Sequence, residues 1–103
     1  MENETTTTTT NSNYRLPTNL TMQHICKLAI VNDKPIMFDY WTKSLENTIL
    51  IGIRESGEKL LVKSEEEYTS PIAKIYKVET DYIIETENSL YLADSSIATK
   101  RIS

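Results

Sequence analysis

Past Pro35 the apolar residues of this chain recur at every second position. Ile36, Phe38 and Tyr40 alternate with Met37, Asp39 and Trp41, and Ile49, Ile51 and Ile53 alternate with Leu50, Gly52 and Arg54. Successive side chains of a strand project to opposite faces, so this rhythm specifies pleated sheet with one apolar wall. Ser56-Gly57 between two polar flanks reads as a tight hairpin, since glycine takes the positive φ such turns need. Leu60 and Val62 are then expected inward, opposite the isoleucine row. Ser64 to Pro71, acidic and ending in proline, reads as the longest exposed loop. Ile72 to Val78, Tyr82 to Thr86 and Leu90 to Ala93 follow as strands joined by short polar connections, and Ile97 and Ile102 mark a closing strand or helical turn.

The segment before Pro35 has another character. Leu20, Ile25, Leu28, Ala29 and Val31 fall broadly on one side at helical spacing, which predicts a helix over residues 19–31. Asn19 is the expected N-cap and Asn32 the residue that turns left-handed after the end. Residues 1–18 read as a leader and linker. Six consecutive threonines between polar neighbours offer no aliphatic surface to offset the entropy of ordering, so the leader is expected to be disordered, with extended docking on a sheet edge as the alternative. Tyr14, Leu16 and Leu20 are the expected anchors of the linker. Residues 19–103 make one domain: mainly β with one N-terminal helix, an antiparallel meander over 35–103 closing into a small SH3-like or partly open barrel, because closure removes exposed edges.

Chemistry is sparse in this sequence. Serine or cysteine nucleophiles need a base, and the chain has one histidine, His24, and one cysteine, Cys26. On a helix these two lie about 200° apart, so they are read as a surface imidazole and a small buried thiol. One Cys and one His cannot assemble a thiolate and imidazole metal site, and no cofactor or metal is expected. A single cysteine and no signal-like start point to an intracellular, reducing compartment, and no apolar run is long enough to span a membrane. Glu65, Glu66, Glu67, Glu79, Asp81, Glu85, Glu87 and Asp94 are plentiful carboxylates, but they sit in turns or at outward strand positions where solvent is expected to keep them ordinary. Nucleic acid is a poor partner for a chain with 11 Lys+Arg against 15 Asp+Glu.

One constellation stands out: Asp39, Tyr40 and Trp41 are contiguous, and Tyr68 follows Glu65, Glu66 and Glu67. Brought together, rings framed by carboxylates would hold a cationic side chain by cation-π and Coulomb attraction. The competing expectation is that Tyr40 and Trp41 serve the core. The sequence therefore leads to a non-catalytic protein-interaction module or assembly subunit, contacting a protein partner or its own copy through a sheet edge or this aromatic-acidic face. A single-stranded nucleic-acid barrel and a carboxylate-dependent hydrolase are the alternatives.

Overall fold

The computed structural model describes residues 14–102, so the expectation of a disordered Thr-rich leader lies outside the described residues. Helix α1 spans Asn19–Asn32, where the helix was expected. Thr18 rather than Asn19 caps it. Extended backbone at Thr18 lets its Oγ1 accept the Thr21 N–H at 3.2 Å, which satisfies one of the orphan donors of the first turn. At the other end Asp33, not Asn32, turns left-handed with φ 55° and donates its N–H to the Ala29 carbonyl. The side facing the sheet is set by Thr21 and Ile25, with Met22, Leu28 and Ala29 half-buried beside them. Cys26 follows Ile25 and so points about 100° away from that side. It is exposed, which corrects the buried thiol expected from residue type.

Eight strands follow or bracket a second helix: β1 (Ile36–Met37), α2 (Trp41–Leu45), β2 (Leu50–Ile53), β3 (Lys59–Ser64), β4 (Glu67–Tyr68), β5 (Ile72–Val78), β6 (Asp81–Thr86), β7 (Leu90–Asp94) and β8 (Ala98–Arg101). The chain is mainly β, as the alternation implies. The barrel is not formed. Two four-stranded sheets, ordered β1-β7-β6-β5 and β4-β3-β2-β8, remain separate. The expected all-antiparallel meander is also broken, since β1 runs parallel to β7 and β8 parallel to β2. Closing a small barrel takes bulges and glycine corners, and this chain has two glycines. Its bends come instead from interrupting strands, with Asn47 at φ 59° after α2 and Glu79 at φ 54° in the turn to β6.

Three local readings change with the fold. The strand expected through Ile36 to Trp41 stops at Met37, and Trp41 starts α2, so Phe38 is exposed while Tyr40 and Trp41 are buried. The β2–β3 hairpin pairs Ile53 with Lys59 and Ile51 with Leu61. Leu61 therefore shares the isoleucine face, and Leu60 and Val62 lie on the other, where Leu60 is buried all the same. A slip of one residue exchanges the faces of a whole strand. The acidic segment after Ser64 is a tight hairpin, with Glu67 and Tyr68 paired to Ser64 and Val62, rather than the longest loop.

The first sheet is the middle of three layers. On one face Ile83, Leu90 and Leu92 pack with Ile25 of α1 and Trp41 of α2. On the other, Ile84 and Ala93 meet Ile49, Ile51 and Leu61 of the second sheet, with Tyr40 and Ile97 closing the ends. The Tyr40 and Tyr91 rings meet edge to face at 5.3 Å. Burying each of the large aliphatic side chains stabilises the fold by about 1.5–3 kcal/mol. Among the described residues, no helix is long and apolar enough to cross a membrane.

Gly52 shows how the C-terminal strand is held. A Cβ built there would stand 2.7 and 2.9 Å from the Ile102 side chain and 3.1 Å from that of Val62, and the Ile102 N–H donates to the Ile53 carbonyl at 3.0 Å. The missing side chain at 52 is the seat of Ile102. Gly52→Ala is expected to destabilise the protein by about 1–2 kcal/mol in urea unfolding, because a methyl group overfills a closed contact. Ile102→Ala should make the same substitution nearly neutral. Equal costs in both backgrounds would show that Ile102 does not occupy that seat.

Candidate functional site

Strand alternation puts Asp81, Ile83 and Glu85 on the same face of β6, the face that carries α1. Two acids flanking an isoleucine on a buried face are not solvated carboxylates, which corrects the outward positions expected of Asp81 and Glu85. Asp81 is fully buried and Glu85 nearly so. Asp81 Oδ2 accepts the Thr18 N–H at 3.0 Å and the Thr21 hydroxyl at 2.7 Å, at the positive end of the helix. Its other oxygen accepts Arg15 Nη2 at 2.7 Å. Glu85 receives the other end of the helix, with Asn32 Nδ2 donating at 3.0 Å, Lys34 Nζ at 2.8 Å and the Tyr76 hydroxyl at 3.3 Å. The hydrogen bond and charge of Lys34, with the Tyr76 hydroxyl and the charge of Lys74, outweigh burial and hold the Glu85 carboxyl below its ordinary value.

Asp81 is the register partner of Asp94 on β7. Like charges directly opposite each other repel, and Arg15 answers by bonding both carboxylates. Burial pushes the Asp94 carboxyl up, but hydrogen bonds from Ser96 and Arg15 more than reverse it, leaving the group below its usual range. Arg15 is itself fixed: its guanidinium lies 5.0 Å from the centre of the Trp41 ring, and its carbonyl accepts the indole N–H at 2.9 Å. The linker is therefore anchored by a cation. Tyr14, Leu16 and Leu20, the anchors expected from hydrophobicity, are exposed.

The aromatic-acidic constellation is assembled in part. Lys63 Nζ stands 4.4 Å from the centre of the Tyr40 ring, 3.9 Å from Asp39 and 3.2 Å from Glu67. The cation held there is the chain's own. Arg54 similarly covers the Tyr68 ring at 5.9 Å. Trp41 is on the other side, in the cluster beneath α1, and Glu65 and Glu66 stay exposed in the hairpin. Burial, together with Tyr91, Asp39 and Glu67 nearby, pushes the Tyr40 phenol up to about 12.

A second feature was not anticipated. Leu20, His24, Leu28 and Val31 form a stripe along α1 that faces Tyr76 and Val78 of β5 across a groove of about 620 Å³, with Lys27, Lys77 and Glu79 at its rim. Leu20 and Val31 were placed on one side of the helix with Ile25, yet Val31 is 69% exposed and Ile30 81% exposed. The signal was present in the sequence as too many apolar residues around α1 for one buried stripe. Beside the groove runs β5, seven residues long and paired only with β6, so its outer edge has no strand partner among the described residues. The other edges are shorter: two residues in β1 and β4, four in β8.

Compared with protein-family models, curated proteins and solved structures, the chain matches none.

Arg15→Met is expected to cost about 2–3 kcal/mol of unfolding free energy, less than the loss from a fully buried pair because Arg15 is partly exposed. Lys43→Met on the surface should change stability by less than about 0.5 kcal/mol. Equal effects would remove Arg15 from the account of how the linker is held. The pH dependence has two limbs. Asp94 and Glu85 titrate lower folded than unfolded, so their stabilisation is present above about pH 4 and is lost as pH falls through the folded values. Tyr40 titrates higher folded than unfolded, so its contribution is intact below about pH 10 and declines as pH rises toward the folded value. Urea midpoints across pH should show both slopes, and Tyr40→Phe should flatten the alkaline one.

Proposed function

We propose that this chain is a non-catalytic protein-interaction module that pairs the free edge of β5 with a strand of another protein chain. In this mode main-chain hydrogen bonds supply affinity and neighbouring pockets supply selectivity. The observation that carries the reading is the coincidence of two features: a seven-residue edge and an apolar groove that meets its last three residues, Tyr76 to Val78. Long edges are normally shortened, bulged or covered. Here the strand pairing is irregular only at the start, between Ile72 and Lys74, and runs in continuous register from there to Val78.

Other surfaces support this reading by what they are already doing. The ring-and-carboxylate cluster at Asp39, Tyr40 and Glu67 is filled by Lys63, which leaves the sheet edge as the better route for a partner. Tyr40 and Trp41 are buried at 4% and 7% exposure, so neither ring offers the open face that base stacking requires. The buried or half-buried carboxylates Glu85 and Asp94 are held low by their cations, whereas a general acid needs its carboxyl raised.

A photo-crosslinking amino acid placed at Lys77 in the full chain tests the reading in native lysate. Adducts with another chain are expected from position 77 and not from position 43, on the far side of the first sheet beyond β7. Adducts of equal yield at both positions, or none at 77, would sink it.

A further inference from the structure

The chain as a whole is acidic, yet the rim of the β5 groove is not. Lys27 on α1 and Lys77 on β5 stand against Glu79, in a protein with 11 Lys+Arg and 15 Asp+Glu. Arg15, Lys34, Arg54 and Lys63 are each within 4.0 Å of a carboxylate, whereas Lys27, Lys74 and Lys77 are in no ion pair among the described residues. Lys27 and Lys77 thus stand free of carboxylates beside the longest open edge, as Lys43, Lys59, Lys100 and Arg101 do elsewhere among the described residues. Lysines on an edge also deter indiscriminate strand pairing, so a partner that docks there must answer their charge.

Strand geometry says how. On β5 the side chains of Tyr76 and Val78 share the face of β6 residues Ile83 and Asp81, the face toward α1, while Lys77 is paired with Tyr82 on the opposite face. A strand added beside β5 would repeat that alternation. Its residues toward α1 would enter the space between Leu20, Leu28, Val31 and Val78. Its intervening residues would lie alongside Lys77, and Lys27 stands at the rim on the helix side. Resting on the interaction reading above, we propose that the occupant is an extended segment of a partner protein in which apolar residues alternate with Asp or Glu. Charge complementarity of this kind steers encounter and rejects the wrong partner more than it adds raw affinity.

The probe is a capped peptide of about eight residues, alternating valine and glutamate between serines, matched in length to the edge. Its counterpart carries lysine in place of glutamate. Amide shifts of the full chain are followed by NMR during titration. The glutamate peptide is expected to perturb β5 and the groove-lining residues of α1, to bind about tenfold more tightly than the lysine peptide, and to weaken as salt rises. In the double variant Lys27→Glu with Lys77→Glu, both exposed positions, the preference should invert. The salt response of the unaltered chain keeps the test decisive should that variant fail to fold. Equal or tighter binding of the lysine peptide at the same amides overturns the acidic assignment and leaves the interaction reading standing. No perturbation of β5 or α1 by either peptide overturns both. Concentration-dependent shifts of those amides without peptide would assign the groove to a second copy of the chain, and the proposal fails.

Discussion

A carboxylate placed in a protein interior must find donors, and on β6 there are two such groups, four residues apart and pointing the same way. Asp81 gathers Thr18, Thr21 and Arg15, and Glu85 gathers Asn32, Lys34 and Tyr76. Apart from Tyr76 on β5, the two sets of donors come from opposite ends of α1 and its flanks. The helix is consequently pinned along β6 at both ends, while Ile25 and Ile83 fill the middle. Apolar contact alone would let a helix slide or rotate over a greasy sheet, since it is not directional. The buried acids remove that freedom, because an unpaired charge beneath α1 costs several kcal/mol.

That placement produces the groove. With Thr21 and Ile25 turned toward the sheet and the ends fixed, the stripe of Leu20, His24, Leu28 and Val31 is carried toward the β5 side. The sheet order then decides which strand it meets. Because β5 is last in β1-β7-β6-β5, the open space under the helix adjoins an open edge. Across the molecule the reverse has happened. Lys63 lies over Tyr40 and Arg54 over the exposed Tyr68, so a face that by composition invites a cation has received one from its own sheet.

How much of this could be read from residues alone differs from element to element. The helix, the isoleucine row and the strands from Ile72 to Asp94 were visible because each is a local rhythm repeated over several positions. Leu61 was misassigned in favour of Leu60 because the face of a returning strand depends on how many residues the turn consumes, and the five between Ile53 and Lys59 shift it by one. Asp81 and Glu85 were read as solvated because charge is the usual mark of an outward position. Their parity with Ile83 was on the page, but nothing local says that donors from the segments flanking α1 will arrive.

By itself, then, the sequence determined the kinds of element and their approximate limits, since helix and strand periodicity are properties of neighbours along the chain. It also carried the surplus of apolar residues on α1 and the lysines of β5, without connecting them. Tertiary structure alone decided that two sheets stay open, that β1 and β8 return in parallel, and that Arg15 bridges Asp81 to Asp94. Those pairings join groups 48 or more positions apart, as with Leu50 and Ala98 or, at a separation of 66, Arg15 and Asp81. A charge is paired or stranded, and an edge covered or open, only when distant segments meet in space.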